Sequence, residues 1–382
     1  MLLSKGFEVE VYTCTPTGDI RGFSDRIVAH LDGFVREPDN RNVEYTTAPF
    51  TQYERLFLAL IEPRQRLRKY LRSLGDFTIT PGSTLALGGS DRFERSDPNN
   101  PYHSYIEQTY GTDVVTASIH INVGIPDTET LIKACRLVRV EAPLYLALSA
   151  SSPFLNGKVT GFHSTRWQMF PKTPAYVPLF RNHDDFIAWT EEQLRLGTMQ
   201  NVRHLWSSVR PNGDRRPYSI NRLELRICDL VLDPAALLAI TALLEMRLLA
   251  LLSDRDFSTA LDPIAPGSSP FTPEELIEIT DRNESAVARS SLDAVLVHWQ
   301  TGEQIAARDW IAALYESSQA IASQTGTACF LAPLQKILSQ GNDAQRWLAA
   351  YSSGLSPRQI ITDAIASAEQ QESDLAKVLA IA

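Results

Sequence analysis

Residues 6–12 of this chain, G-F-E-V-E-V-Y, place Phe7, Val9 and Val11 on one face of a β-strand and Glu8 and Glu10 on the other. That pattern is unusual. Glutamate is depleted in strands, and two like charges at i and i+2 stand only about 6.5 Å apart on a pleated face, so they repel unless a cation lies between them. The strand is therefore one-sided, with an apolar layer beneath it and either water or a metal above it.

The same phase recurs along the chain. Residues 42–47, N-V-E-Y-T-T, set Val43 and Tyr45 against Glu44; residues 115–124 set Ala117, Ile119, Ile121 and Val123 against Thr116, Ser118, His120 and Asn122. Residues 219–228 set Leu223, Leu225 and Ile227 against Arg222, Glu224, Arg226 and Cys228. If these strands share one antiparallel sheet with its apolar side on helices, every polar group named here lies on the opposite side, which becomes a carboxylate-lined cleft. A merely wet face usually mixes Lys, Thr, Ser and Gln; this one repeats Glu and contains no Lys. Glu8, Glu10, Glu44, His120 and Glu224 are oxygen-dominated ligands that suit Mg²⁺ or Mn²⁺ rather than a structural zinc. Mg²⁺ commonly takes substrate phosphates as further ligands, and no P-loop or G-x-G-x-x-G cradle is present, so ATP chemistry without either motif is expected.

Between the strands, periodicity predicts helices over 23–35, 52–74 (interrupted by Pro63), 128–149 (with Pro143) and 184–196, the last capped by Asn182. The basic run 64–72 reads as a solvated helix face, and 92–110, which includes Tyr105, as a long polar loop able to wall a substrate site. From Asp233-Pro234 onward the chain reads as helical, with further helices near 286–299, 309–324, 343–351 and 357–381. A Pro-, Gly- and Ser-rich linker over 254–273 suggests a division into a sheet-and-helix part, 1–255, and a helical part, 256–382. The apolar run 235–252 is interrupted by Glu245 and Arg247 and reads as a buried helix, not a membrane span.

A net charge of −9 argues against a nucleic-acid partner. Cys14, Cys135, Cys228 and Cys329 are scattered without a C-x-x-C pair, and residues 1–5 carry no basic-then-apolar leader, so a reducing cytoplasm is expected. Neither thiol pairing nor oligomeric state can be read from these positions.

Five motifs in this order carry a family resemblance: G-F-E-V-E-V-Y at 6–12, N-V-E-Y-T-T at 42–47, T-A-S-I-H-I-N-V-G at 116–124, F-H-S-T-R at 162–166 and L-E-L-R-I-C-D at 223–229. The chain resembles the type 2 glutamate-cysteine ligases, with N-V-E-Y-T-T-A-P and G-S-T-L-A-L-G-G-S-D-R-F closest to the cyanobacterial branch. The resemblance implies an α+β fold built on a glutamine-synthetase-like antiparallel sheet with helices on its other face. It implies ATP-dependent ligation of glutamate to cysteine through a γ-glutamyl phosphate, in glutathione biosynthesis. Glu8, Glu10, Glu44 and Glu224 match the family's acidic metal positions and His120 its strand histidine. Arg226 and Arg166 match arginines that face the transferring phosphoryl group or a substrate carboxylate, for which the guanidinium fork is suited. Asn122 and Tyr105 are further candidate substrate contacts. Asn122 departs from the H-V-H-V-type pattern of many relatives, which leaves the second role on that strand open. Ligation of glutamate to another amine, or metal binding without catalysis, are the competing readings.

Overall fold

The computed structural model describes residues 1–253 and 260–381. Its centre is a seven-stranded antiparallel sheet of β1 (Lys5–Cys14), β2 (Phe34–Arg36), β3 (Asn42–Thr46), β4 (Thr78–Thr80), β5 (Ile119–Gly124), β8 (Val209–Asn212) and β9 (Arg222–Leu225). The order is β2-β3-β1-β5-β9-β8, with β4 pairing the far end of β1. A small hairpin, β6 (Phe154–Leu155) and β7 (Lys158–Val159), and a second one, β10 (Val295–Val297) and β11 (Gln304–Ala306), stand apart from it. The α+β class and the antiparallel sheet expected from the sequence are present.

The alternation in the sequence becomes two faces. Phe7, Val9, Val11, Val43, Tyr45, Ile119, Ile121, Leu223 and Leu225 are all buried in one apolar core. The helices packed in and around this core are α1 (Ser24–His30), α2 (Tyr53–Leu74), α4 (Thr128–Ser149), α5 (Thr165–Met169), α6 (His183–Leu196) and α7 (Pro234–Ser253), while α3 (Pro101–Tyr110) lies outside it. Beyond them follow α8 (Pro273–Ser290), α9 (Ala307–Thr325), α10 (Ala328–Leu331), α11 (Leu334–Gln340), α12 (Asp343–Ser352) and α13 (Pro357–Ile381). Helix α7 is long and apolar enough to cross a membrane, yet 72% of its most apolar window is buried inside the protein. Its Glu245 accepts from Lys5 Nζ at 2.9 Å and Tyr53 Oη at 2.7 Å, and Arg247 pairs with Glu141 at 2.5 Å, so its charges are satisfied internally.

Several sequence expectations are corrected. The helix expected over 23–35 stops at His30, and Phe34–Arg36 instead forms edge strand β2. The loop expected over 92–110 ends in α3, whose Asn100 side chain accepts from Tyr102 N and whose Pro101 opens the helix. The helix expected over 286–299 ends at Ser290, and the β10–β11 hairpin interrupts the C-terminal helices. Regular pairing in the last central strand ends at Leu225; Cys228 then turns its thiol toward Tyr145 O within the core and leaves the polar face. Arg64 and Arg68, expected on a solvated face, are buried against α13, where Arg68 Nε meets Glu372 at 2.7 Å. The expected linker 254–273 falls partly outside the described residues, and α8 opens on a capping box between Thr272 and Glu275.

Candidate active site

Register brings the polar residues together. Glu10 of β1 lies directly across from Glu44 of β3, Glu8 across from His120 of β5, Asn122 across from Glu224 of β9, and Glu224 across from Arg210 of β8. Cross-strand partners stand about 5 Å apart, so five consecutive strands deliver one continuous polar row. Glu8, Glu10, Glu44, His120 and Arg210 of this row floor a cavity of about 770 Å³, which Asn122 and Glu224 do not line; it is walled by α3 through Tyr102 and Ile106, by Arg166 and Phe170, and by the β8–β9 connection.

The cavity is electrostatically split. At the β2-β3-β1 end, Glu10, Glu37 and Glu44 each bring a carboxylate oxygen within 4.8 Å of the others. Burial, followed by Glu37, Glu8, Glu10 and Glu224, pushes the Glu44 carboxyl well above the usual carboxylate range. Burial and the charges of Glu10 and Glu8 do the same to Glu37. Three converging carboxylates without a cation are a donor set that fits a hard divalent ion such as Mg²⁺.

The second cluster is Glu8, His120 and Glu224, again within 4.8 Å. Ser118 Oγ donates to Glu10 Oε2 at 2.8 Å, so it accepts from His120 Nε2 at 3.1 Å; His120 Nδ1 faces Glu8 Oε2 at 2.9 Å. His120 Nδ1 also faces Arg226 Nη1 at 3.4 Å, so this nitrogen sits between a carboxylate and a guanidinium. Asn122 Nδ2 donates to Glu8 Oε1 at 3.0 Å, which places Asn122 behind the cluster as a support for Glu8. Burial and Glu224 push Glu8 up, but His120 and Arg226 outweigh them and its carboxyl ends below its ordinary value.

Glu224 is fully engaged. Its Oε1 accepts from Arg226 Nη1 at 2.5 Å and Arg210 Nη2 at 3.0 Å, its Oε2 from Arg210 Nε at 2.7 Å and Asn212 Nδ2 at 2.6 Å. Burial alone would raise this carboxyl; Arg210, Arg226 and His120 hold it well below its usual range. Burial, reinforced by Arg226 and opposed by Glu224, lowers Arg210 to about 10. Glu224 therefore orders Arg226 in the cavity wall as well as standing in the acidic cluster.

Arg166 reaches the wall from α5. Its Nη1 and Nη2 donate to Ile227 O at 3.0 Å and Arg226 O at 3.1 Å, and its buried Nε has no partner. Asp229 braces the surrounding loop, accepting from Ser164 Oγ at 2.8 Å, Ser152 Oγ at 2.7 Å and Ser151 N at 3.0 Å, with Arg166 Nη1 at 3.9 Å. Tyr105 does not line the cavity: on α3 it stacks on His204, ring centroids 5.4 Å apart. Tyr102, three residues earlier, is the α3 tyrosine in the wall. Gln200 N donates to His204 Nδ1 at 3.3 Å, so His204 Nε2 donates to Tyr102 Oη at 3.1 Å and leaves the phenol proton free for another acceptor.

Glu37 and Arg210 went unread in the sequence. Glu37 follows a three-residue edge strand and precedes Pro38, outside any alternating run. Arg210 is next to Pro211, which argues against a strand unless it lies at a sheet edge, as β8 does.

A family model described as glutamate-cysteine ligase family 2 matches residues 4–374. A protein provisionally named glutamate–cysteine ligase 2 from Sorangium cellulosum is 30% identical over 251 residues, 65% of this chain and 62% of that protein. One of the same provisional name from Gloeobacter violaceus is 28% identical over 64% of this chain and 62% of its own length. The chain thus spans about three-fifths of the length of these relatives. Among solved structures, glutamate–cysteine ligase from Francisella tularensis in complex with AMP superposes with a TM-score of 0.75 at 13% identity, covering 97% of this chain and 89% of that one. A bifunctional glutathione synthetase from Pasteurella multocida gives 0.74 at 15% identity, covering 97% of this chain and 53% of that one. At these identities the likeness is one of fold.

Proposed function

From the premise that this chain belongs to the glutamate-cysteine ligase family 2, we propose that it is an ATP-dependent carboxylate–amine ligase joining the γ-carboxylate of glutamate to cysteine, the first step toward glutathione. The observation that carries this reading is the split cavity: six residues in two acidic clusters along one face of the sheet, and Arg226 and Arg166 in the wall beside them.

A γ-carboxylate oxygen attacks the γ-phosphorus of ATP, ADP leaves, and the acyl phosphate is then attacked by the amine, which loses a proton as phosphate departs. Such phosphoryl transfer needs positioning and charge neutralisation and little covalent chemistry from the protein. Glu10, Glu37 and Glu44 would hold one Mg²⁺ or Mn²⁺ and Glu8 and His120 a second, with Glu224, whose oxygens already accept from Arg210, Arg226 and Asn212, adding negative charge beside it. Bound there, the ions would supply Lewis-acid neutralisation of the phosphate oxygens. Glu224 fixes Arg226 by a 2.5 Å hydrogen bond, so its remaining N–H groups are preorganised toward developing negative charge. Arg166, locked by two backbone carbonyls, contributes a second fixed cation. Asn122 orients Glu8.

ADP release measured with glutamate and a panel of amines tests both levels of this reading. Cysteine is expected to exceed every other amine. A different preferred amine removes the cysteine assignment, and no ADP release with any amine removes the ligase reading itself.

A further inference from the structure

The cations at the β8 end of the cavity exceed what the mechanism uses. Arg203, from the turn before β8, Arg216, from the β8–β9 connection, and Arg222, the first residue of β9, all line the cavity. Among the described residues, neither Arg203 nor Arg216 has a carboxylate within ion-pair distance. Arg222 has only Asp214 at 3.7 Å, itself highly exposed. Glu224, the acid closest to hand, is already saturated by Arg210, Arg226 and Asn212. Arg216 Nη1 is buried without a hydrogen-bond partner. Burial lowers the Arg216 guanidinium and Arg226, Arg222 and Arg203 lower it further, against Glu224 alone. Arg203 is exposed and Arg216 and Arg222 are half-buried, so the burden falls on the buried, unpartnered Nη1 of Arg216, a donor among like charges that an anion would complete.

The loop that presents them is built, not slack. A Cβ on Gly213 would stand 2.2 Å from Ser219 O and 2.6 Å from Ile220 Cα, so only glycine lets the connection fold back on itself. Tyr218 N and Ser219 N both donate to Arg215 O, Asn221 N donates to Asn212 O, His183 Nε2 meets Pro217 O at 2.8 Å and Tyr218 Oη donates to Glu191 at 2.8 Å. The arginines are thus held facing the cavity by α6 and by the strand ends.

We propose that Arg203, Arg216 and Arg222 form a carboxylate subsite that holds the carboxylate of an amino-acid substrate at the end of the cavity opposite Glu10, Glu37 and Glu44. It rests on the ligase reading for the identity of its occupant. Arg203 and Arg216 flank β8 at one edge of the sheet and Arg222 opens β9, whereas Glu37 follows β2 and Glu44, Glu8, Glu10 and His120 lie on β3, β1 and β5, with Glu224 of β9 between the two groups. Phosphate and carboxylate are thereby separated along the floor. The planar guanidinium fork matches a carboxylate's two oxygens. An acceptor lacking a carboxylate would leave these donors unpaired, so the subsite selects amino acids over simple amines.

Steady-state kinetics of Arg216→Gln and Arg203→Gln, with Arg216→Lys as a charge-retaining control and thermal melting as a check on folding, test this. The KM for glutamate or for cysteine is expected to rise about ten- to a hundredfold in the Gln variants, as for loss of a charged hydrogen bond, with the KM for ATP within about twofold of wild type. Cysteamine, which lacks the carboxylate, separates the two sources. If the acceptor is the occupant, its KM does not change between wild type and variant; if glutamate is, only the glutamate KM moves. A rise confined to ATP, or no rise, overturns the subsite. Should the wild type release no ADP with any amine, the ligase reading fails by itself; calorimetry with glutamate and with cysteine alone then decides the subsite. Binding by wild type that Arg216→Gln abolishes upholds it, and absence of binding by wild type overturns it.

Discussion

Glu44 has no counter-cation of its own: Glu10 is its cross-strand partner, Glu37 stands beside both, and burial together with these neighbours raises its carboxyl. Replacing it with a neutral isostere removes repulsion and a metal ligand at once. Glu44→Gln is therefore expected to melt no lower than wild type in EDTA and to lose most of the rise in melting temperature that Mg²⁺ gives the wild type. Calorimetric melts with and without Mg²⁺ check this, and a full Mg²⁺ response in the variant would remove Glu44 from the metal set. At this scale the sequence was legible where side chains repeat with period two. Glu8, Glu10, Glu44, His120 and Glu224 announced themselves by phase, because a pleated strand has only two faces. Glu37 had no such phase, and Arg210 was concealed by Pro211. Tyr105 and Tyr102 could not be told apart without knowing that 101–110 is a helix, in which both stack on His204 but only Tyr102 also lines the cavity.

Among the elements, α2 and α13 show what local pattern cannot supply. The basic positions of α2 look solvated because their partners, Glu369 and Glu372, come some 300 residues later, at sequence separations of 301 and 304. Arg68 meets both acids and also donates to Thr78 Oγ1 of β4, so this pairing ties the C-terminal helix to the edge of the sheet. Arg64, fully buried, reaches Tyr45 Oη at 2.8 Å and lies 3.8 Å from Glu372. Removing Arg68 leaves Glu372 buried with that weaker partner. Arg68→Ala should cost about 3 kcal/mol in urea unfolding. A loss below about 1 kcal/mol would mean that the α2–α13 pairing behaves as a solvated one. Helices with strong end signals were readable from sequence, as with α6 behind Asn182. Edge strand β2 was not, since three residues give no periodicity.

Among the described residues the larger apolar core runs from Phe7 to Ile337 and is shared by the sheet and helices α8 to α11, while a smaller one joins Cys14 and Phe154 to Trp347 of α12 and Ile360, Ile361 and Ile365 of α13. Glu284 of α8 is a measure of that union: fully buried, it pairs with Arg139 of α4, with Lys172 Nζ at 3.0 Å, and accepts from Trp167 Nε1 at 3.2 Å. Burial raises this carboxyl, and Arg139, Lys172 and Ser208 outweigh it, leaving it below the ordinary value. A lowered folded value contributes stability above the normal carboxylate range and loses it as pH falls through the folded value. Glu284→Gln is expected to be less stable than wild type at neutral pH by about 3 kcal/mol, with the gap closing in acid. Urea unfolding of both at neutral and acid pH checks the sign, and a gap that widens in acid would contradict it. The strand register has a consequence for assembly. Because Glu8 faces His120, and Glu10 faces Glu44, across two different strand junctions, slipping either neighbour by one residue turns its ligands into the core and its apolar side chains into the cleft. If the clusters hold a cation as proposed, its affinity becomes a proofreading signal for the fold: a tight Mn²⁺ signal during refolding would mark only those molecules whose sheet had closed in the correct alignment.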